Sequence, residues 1–556
     1  MSRLLIIGLD GATLDLVEPW AKSGKLPVIA NMMNNGSYAR LRSVLPVLSS
    51  AAWISFMTGL NPGKHGFYDF VRREENSYRL RLLRRDHLKV PTLWQLLNHQ
   101  DRKVGVINVP MTYPPEKVNG FLISGLGTPD FSLFTYPENL GPMLMDRGYR
   151  VNKSVAFQPG NEDEFLKETY ETSEQITDTA LWLMDKYEWD FSIVVYRDTD
   201  ELAHYFWKHM DSSHPLHNIE TDVDYSDAIL NYYQKLDSMI GQFLDKVGPE
   251  TNIMILSDHG GGPLYKDVFL NEWLRQKGLL TTKHTEVELR GVKRKLANIG
   301  ITRTNVSSTL RNLGMTRIER WLKNILGDRI EVLPRTKRAE FPDAIDWSNT
   351  LAYSFGYHGQ IYINLKGREP QGIVNPGTEY NLLIKDIKDN LLNMTDPLDE
   401  KPVVDQVFLK EEIYNGPYID FAPDLTVIMR DLSYITRQGY EFGEHHGEIF
   451  ATPATNESGS HRLNGLLIAT GPDIKSKGLR MEDAELIDIA PTVLHILNCP
   501  VPEYMDGKVL RDWCTTTHQV NIDHPQDYQS ELIQIDWSED EEQKMIERLK
   551  QLGYLE

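Results

Sequence analysis

A mostly parallel α/β sheet flanked by helices, with a further region inserted into it, is the fold class this sequence predicts. Short apolar runs alternate with longer amphipathic stretches, the pattern of a chain that shuttles between strand and helix. Several of those runs are followed at once by Asp or His, and parallel sheets bind ligands beyond the C-terminal ends of their strands. At 556 residues the chain exceeds one typical domain, so a large core carrying an insertion is the natural organisation.

The first strand is Leu4–Leu9, an apolar run too short for a signal-peptide core and ending at Asp10. Lys103–Asn108, Phe191–Tyr196, Asn252–Leu256 and Gly465–Ala469 read as further strands. Between them, Asp163–Lys186 and Asp222–Val247 have helical periodicity. From about Leu264 to Arg338 the composition turns basic, with Lys293, Arg294, Lys295, Arg303 and Arg311. Most of those charges read as a solvated helical face. Leu351–Ser354 and Gln360–Asn364 then look like strands. The expected division is a discontinuous core of residues 1–263 and 431–515, a cap of residues 264–430, and a tail of residues 516–556. The acidic run Ser538–Glu542 opens a terminal helix within that tail, where negative charge suits the dipole.

Composition narrows the function classes. A formal net charge of −20 argues against broad nucleic-acid or anionic-membrane binding. No run is long enough to span a bilayer. Cys499 and Cys514 are the only cysteines, which suits a reducing cytoplasm rather than a disulfide framework. The Asn-x-Ser/Thr triplets at Asn152, Asn305, Asn393 and Asn456 are on that reading chance matches.

The chemistry is concentrated in Asp10, Ser49, Asp200, His204, Asp258, His259 and His461. Carboxylates and imidazoles in this mixture suit a pair of divalent cations such as zinc. Gly8-Leu9-Asp10-Gly11 lacks the G-x-G-x-x-G spacing of a dinucleotide loop, and a carboxylate there repels phosphate unless a metal intervenes. Ser49 or Ser50 stands at the start of a helix, as a simple cap or as a hydroxyl beside unpaired N–H groups that bind phosphate. Asp200 and His204 are spaced i and i+4, which puts both on one helix face. Asp258-His259 follows an apolar run and precedes three glycines, which reads as flexible backbone at a crowded site edge. His461 lies in a Gly/Ser-rich stretch; His445 and His446 are rivals in a segment that reads as an exposed loop.

Taken together, Leu9-Asp10-Gly11, Ser49 through Thr58-Gly59-Leu60-Asn61-Pro62-Gly63-Lys64-His65-Gly66, Asp200-x-x-x-His204, Ser257-Asp258-His259-Gly260 and Gly459-Ser460-His461 resemble the alkaline phosphatase superfamily. The similarity is to its type I phosphodiesterase/nucleotide pyrophosphatase branch, and it extends through Asp488–Leu494 and Met505-Asp506-Gly507 to about Leu510. That resemblance implies an alkaline-phosphatase-like core and two divalent ions, zinc first and manganese as the alternative. One ion would be held by Asp10, Ser49, Asp258 and His259, the other by Asp200, His204 and His461. It implies Ser49, rather than Ser50, as nucleophile in a phosphohydrolase working through a phosphoseryl intermediate. Phosphodiester bonds are the expected target, with phosphomonoester or pyrophosphate bonds as alternatives. The substrate would be a small phosphorylated molecule, with the cap and residues 67–85 at the entrance; Lys64, His65 and Tyr205 read either as substrate contacts or as structural residues.

Ala52 departs from the pattern, because nucleotide pyrophosphatases carry an Asn there that binds a phosphate oxygen. The departure loosens the link to nucleotides. A metal-dependent phosphomutase of the same superfamily and a non-catalytic scaffold are the rival readings. The mutase is disfavoured because the larger extra segment follows Asp258-His259 rather than preceding it, and the scaffold because the ligand set is complete.

Overall fold

The computed structural model describes residues 2–129, 133–218, 222–283, 342–437, 447–453, 456–475, 478–481, 484–515, 519–523 and 539–551. In chain order, the elements that shape the site begin with β1 (Arg3–Leu9), β2 (Ser37–Arg42) and α1 (Ser49–Thr58). Then come β3 (Val104–Val109), β4 (Gly120–Ser124), β5 (Thr135–Tyr136), α2 (Glu162–Lys186), β6 (Phe191–Tyr196), α3 (Asp198–Met210) and α4 (Ala228–Val247). After β7 (Thr251–Leu256) and β8 (Gly260–Pro263) the chain enters a second set of strands: β9 (Lys266–Val268), β10 (Ala352–Ser354), β11 (Gln360–Ile363), β12 (Val404–Leu409), β13 (Leu425–Met429), β14 (Tyr434–Thr436) and β15 (Phe450–Ala451). It returns through β16 (Gly459–Arg462), β17 (Asn464–Thr470), α5 (Ile489–Ile496) and α6 (Glu539–Gln551).

The main sheet is α/β and mostly parallel. Its centre runs β7-β1-β6-β3-β4, every neighbouring pair parallel. Antiparallel β17 joins β7 on one side and carries β2 beyond it, while β5 closes the other side antiparallel to β4. Both faces are covered, as parallel sheets require. Along β1, Leu4 and Ile6 pack into one hydrophobic cluster with Trp53, Phe56 and Val493. Leu5, Ile7 and Leu9 enter the opposite cluster with Phe206, Tyr232 and Phe243. The period-2 alternation of strand side chains therefore feeds two cores from one apolar run, each buried Leu or Ile contributing roughly 1.5–3 kcal/mol. Met545 and Leu549 of α6 pack into the first of these cores.

The inserted strands form a separate antiparallel sheet ordered β10-β11-β13-β12, with its own cluster around Ile361, Ile363, Ile387, Leu425 and Val427. A second small sheet, β14-β9-β15, joins residues 266–268 to residues 434–436 and 450–451. Lys293, Arg294, Lys295, Arg303, Arg311, His445 and His446 lie outside the described residues. Among those described, no helix is long and apolar enough to cross a membrane.

Three local expectations change. The helix expected from Asp222 begins at Ala228, after a separate 3-10 turn at Val223–Tyr225. Asp222 stands before that turn in helical conformation, and its carboxylate meets His209 Nδ1 at 2.7 Å and accepts from Asn218 N at 2.6 Å. The strand expected to end at Asn108 continues to Val109 through a register shift, with Asn108 left-handed at φ 61°. The glycines after His259 are not a flexible stretch: they form β8, paired antiparallel with β16, so that Gly261 faces His461.

That ribbon explains one glycine outright. A Cβ on Gly459 would stand 2.1 Å from the backbone oxygen of Ala203 in α3. Gly459→Ala should therefore force β16 off α3 and lower the unfolding free energy by about 1–3 kcal/mol or more. Urea unfolding that leaves the midpoint in place would remove close packing as the reason for glycine there.

Candidate two-metal site

All seven candidate residues converge where the strands of the main sheet end. Asp10 follows β1, Asp258 and His259 follow β7, and Asp200 and His204 lie on α3 just after β6. Ser49 is the first residue of α1, and His461 comes from β16. Asp10, Ser49, Asp258 and His259 are wholly buried; Asp200 and His461 nearly so.

Local contacts aim each group. Trp53 Nε1 donates to Asp10 Oδ2 at 2.9 Å, and Trp53 shares a face of α1 with Ser49 one turn earlier. The Thr199 hydroxyl donates to the Asp10 carbonyl, joining the end of β1 to the start of α3. Gly11 is left-handed at φ 67°, its N–H donates to Asp258 Oδ1 at 3.3 Å, and a Cβ there would stand 2.6 Å from Asp200 Oδ1. Only glycine lets the two carboxylates close on this turn. The first turn of α3 is held from behind by buried Lys153, whose Nζ meets Asp198 Oδ1 at 2.7 Å and Glu201 Oε2 at 2.5 Å.

The contacts fall into two sets. In the first, Ser49 Oγ lies 3.4 Å from Asp10 Oδ1 and 3.2 Å from His259 Nε2. His259 Nε2 is also 3.5 Å from Asp10 Oδ1 and 3.4 Å from Asp258 Oδ2. In the second, His204 Nε2 lies 3.3 Å from Asp200 Oδ2 and 3.2 Å from His461 Nε2, which is 3.6 Å from Asp200 Oδ1. His259 borders both sets: its ring stacks on that of His461 at 3.8 Å. Its donor atom also groups as closely with Asp200 and His461 as with Asp10 and Asp258.

The imidazoles are oriented as metal ligands are. Nδ1 of His204 donates to Gly459 O at 2.9 Å, that of His461 to Val47 O at 2.6 Å, and that of His259 to Gly260 O at 3.0 Å. A backbone carbonyl on Nδ1–H leaves the Nε2 lone pair free, and in every case Nε2 is the atom that faces the cluster. Asp258 Oδ2 is buried and accepts no hydrogen bond. The donor set thus fits divalent cations, one oxygen-rich position beside Ser49 and one with two imidazoles beside Asp200.

Charge makes the same point. Burial pushes the Asp10 carboxyl well above the usual range, with Asp258 and Asp200 adding to the shift. Burial and the nearby Asp200 raise Asp258 to about 8. Asp200 goes the other way: burial would raise it, but His204 and His461 hold it well below the ordinary value. Burial lowers His204, yet Asp200 outweighs it and raises the imidazole to about 9. Burial and His259 keep His461 well below its ordinary value. Without cations the cluster holds protons in their place.

The three expected substrate contacts each have partners within the protein. Lys64 Nζ donates to Tyr504 O at 2.8 Å and pairs with Asp506 Oδ1 at 2.6 Å. His65 is buried, its Nδ1 accepting from Phe67 N at 3.2 Å and its Nε2 meeting Ser55 Oγ at 2.8 Å. Tyr205 stacks on Phe157 at 4.4 Å and meets Phe165 edge-on. Sequence reasoning passed over Trp53, whose one-turn spacing from Ser49 was a usable signal, and Thr199 and Lys153, which gave none.

The sequence model of the type I phosphodiesterase / nucleotide pyrophosphatase family matches residues 4–448. Among solved structures, human ectonucleotide pyrophosphatase / phosphodiesterase 5 is 12% identical over 93% of this chain and 100% of its own, with a TM-score of 0.48. Phosphonoacetate hydrolase from Sinorhizobium meliloti, in complex with phosphonoacetate, is 13% identical over 90% of this chain and 95% of its own, with a TM-score of 0.53. Its complex with phosphonoformate gives 0.54 at the same identity and coverage. At such identity the hydrolase likeness describes the fold. No curated protein matches the chain.

A pH dependence follows for the cation-free protein. The unfolded chain releases the Asp258 proton near 3.8 and the His204 proton near 6.5, whereas the folded chain keeps them to about 8 and about 9. Above pH 6.5 the folded state therefore binds more protons, and stability falls as pH rises. His461, neutral when folded, adds no slope there. Thermal melts of EDTA-treated protein should show Tm dropping between about pH 6.5 and 8.5, with zinc raising Tm most at the alkaline end. A Tm that is level or climbs across that range would contradict the assignment.

Proposed function

The chain belongs to the type I phosphodiesterase/nucleotide pyrophosphatase family and is a hydrolytic enzyme; from that premise we propose a two-metal phosphohydrolase that cleaves phosphodiester bonds through a phosphoseryl intermediate. The observation that carries the reading is Ser49 Oγ, buried at a helix start between Asp10 Oδ1 and His259 Nε2. No hydrogen bond joins Ser50 Oγ, the rival hydroxyl, to any of the candidate ligands.

Asp10, Ser49, Asp258 and His259 would hold one cation, and Asp200, His204 and His461 the other. Mixed carboxylate and imidazole donors favour zinc, with manganese as the alternative. Bound there, the pair supplies Lewis acidity that lowers the serine pKa and neutralises charge on the phosphoryl and leaving oxygens.

The chain's own groups do the rest. Ser49 Oγ attacks phosphorus, the P–O bond to the leaving alcohol breaks, and water later cleaves the phosphoseryl ester to regenerate the hydroxyl. The first-turn N–H groups of α1 have no intrahelical acceptors and present their dipole to the non-bridging oxygens. Trp53 and Thr199 keep Asp10 aligned with Ser49 throughout. Ala52 is wholly buried within the core and has no side-chain amide to offer a phosphate oxygen, which supports a small phosphodiester over a nucleotide pyrophosphate. Phosphomonoester and pyrophosphate cleavage are the alternatives. The buried, unpaired thiols of Cys499 and Cys514 support a cytoplasmic setting.

Ser49→Ala should lower turnover of bis(4-nitrophenyl) phosphate by about three orders of magnitude or more, while the protein keeps both metal equivalents. Acid quenching of the wild-type reaction should trap a 4-nitrophenyl phosphoryl group on Ser49. Near-normal turnover by the variant, with metals bound, would sink the nucleophile assignment.

A further inference from the structure

His358 lies outside every contact used so far. It sits on the turn between β10 and β11 of the inserted sheet, yet its ring reaches the metal-ligand cluster. The centroid is 5.4 Å from that of His461 and the planes are inclined by 29°. The residue is 3% exposed, and its Nδ1 is buried without a hydrogen-bond partner. His204, His259 and His461 each give Nδ1–H to a backbone carbonyl, and His358 does not.

Neither a structural role nor metal ligation accounts for it. The turn is held by other groups: Thr436 N donates to Tyr357 O at 2.9 Å, and Gly359 N donates to Thr436 Oγ1 at 3.1 Å. Thr436 Oγ1 donates to Gly356 O at 2.6 Å, and Val427 N donates to Gly359 O at 2.9 Å. The imidazole adds no bond to that scaffold. Its nitrogens belong to neither set of mutually close donor atoms. Buried polar groups nearly always find partners, so one kept without a partner beside a reaction centre is where a ligand atom belongs.

We propose that His358 is a substrate-contacting residue, whose imidazole N–H hydrogen-bonds a phosphoryl oxygen seated against Asp200, His204 and His461. The ligand chemistry rests on the phosphohydrolase reading above. An imidazole carries at least one N–H in either protonation state, so the contact needs no particular charge. The inserted unit thereby supplies part of the recognition of the phosphoryl group.

Inorganic phosphate titrated calorimetrically into the zinc-loaded full chain reads this contact without turnover, and bis(4-nitrophenyl) phosphate hydrolysis reads it during turnover. His358→Phe keeps the ring and removes the N–H, whereas His358→Asn returns an N–H near the Nδ1 position. The Phe variant should bind phosphate about tenfold more weakly or worse and lose a similar factor in kcat/KM. Its metal content and Tm should stay unchanged, and the Asn variant should recover part of both losses. His358→Ala takes its place if the Phe variant does not fold. Unchanged phosphate affinity overturns the proposal, and so does loss of a metal equivalent, which would make His358 a ligand. Recovery by Asn no better than Phe also overturns it. Loaded wild-type protein that binds phosphate but hydrolyses no ester defeats the phosphohydrolase reading while the titration still decides His358. Wild-type protein that binds no phosphate overturns the contact outright.

Discussion

Three carboxylates, Asp10, Asp200 and Asp258, are closed out of water at one edge of a single sheet, and like charges so placed cannot all ionise unless cations or protons offset them. The surrounding structure is arranged around that constraint. Imidazoles from α3, β16 and the end of β7 line the remaining sides, each turned by a backbone carbonyl so that Nε2 faces inward. The raised carboxyls of Asp10 and Asp258 and the raised imidazole of His204 are the metal-free expression of the same unfavourable charge.

Holding such groups together requires elements to approach more closely than ordinary side chains permit. Gly11 lets the turn after β1 pass beneath Asp200, and Gly459 lets β16 lie against the backbone of α3. The β8–β16 ribbon fixes the height of His461 by pairing it with Gly261. Farther out, Lys153 neutralises Asp198 and Glu201, so the helix bearing Asp200 and His204 can begin in a buried place. Rigidity here comes from strands and a helix start rather than loops, which suits a site that must hold its geometry through bond making and breaking.

The inserted unit is more than a cover. It has its own sheet and hydrophobic cluster, yet the turn between β10 and β11 places His358 beside His461. The candidate ligands all come from the main sheet and the elements around it, and the inserted strands add one further imidazole at their edge.

Much of this was legible without coordinates. Uninterrupted apolar runs ending in Asp or His announce buried parallel strands with ligands at their C-terminal edge, since a strand buried on both faces has no room for polar residues until it ends. The i, i+4 spacing of Asp200 and His204 and the helix opening at Ser49 are local facts, and local geometry suffices to read them. The sequence by itself therefore determined the fold class, the candidate ligands and the chemistry they suit. Tertiary structure alone decided which of them meet. It tied Lys64 to Asp506 and His65 to Ser55, stacked Tyr205 on Phe157, made a paired strand of Gly260–Pro263, and brought His358 from a distant hairpin to His461. Those outcomes depend on contacts between residues far apart in the chain, and periodicity carries no information about them.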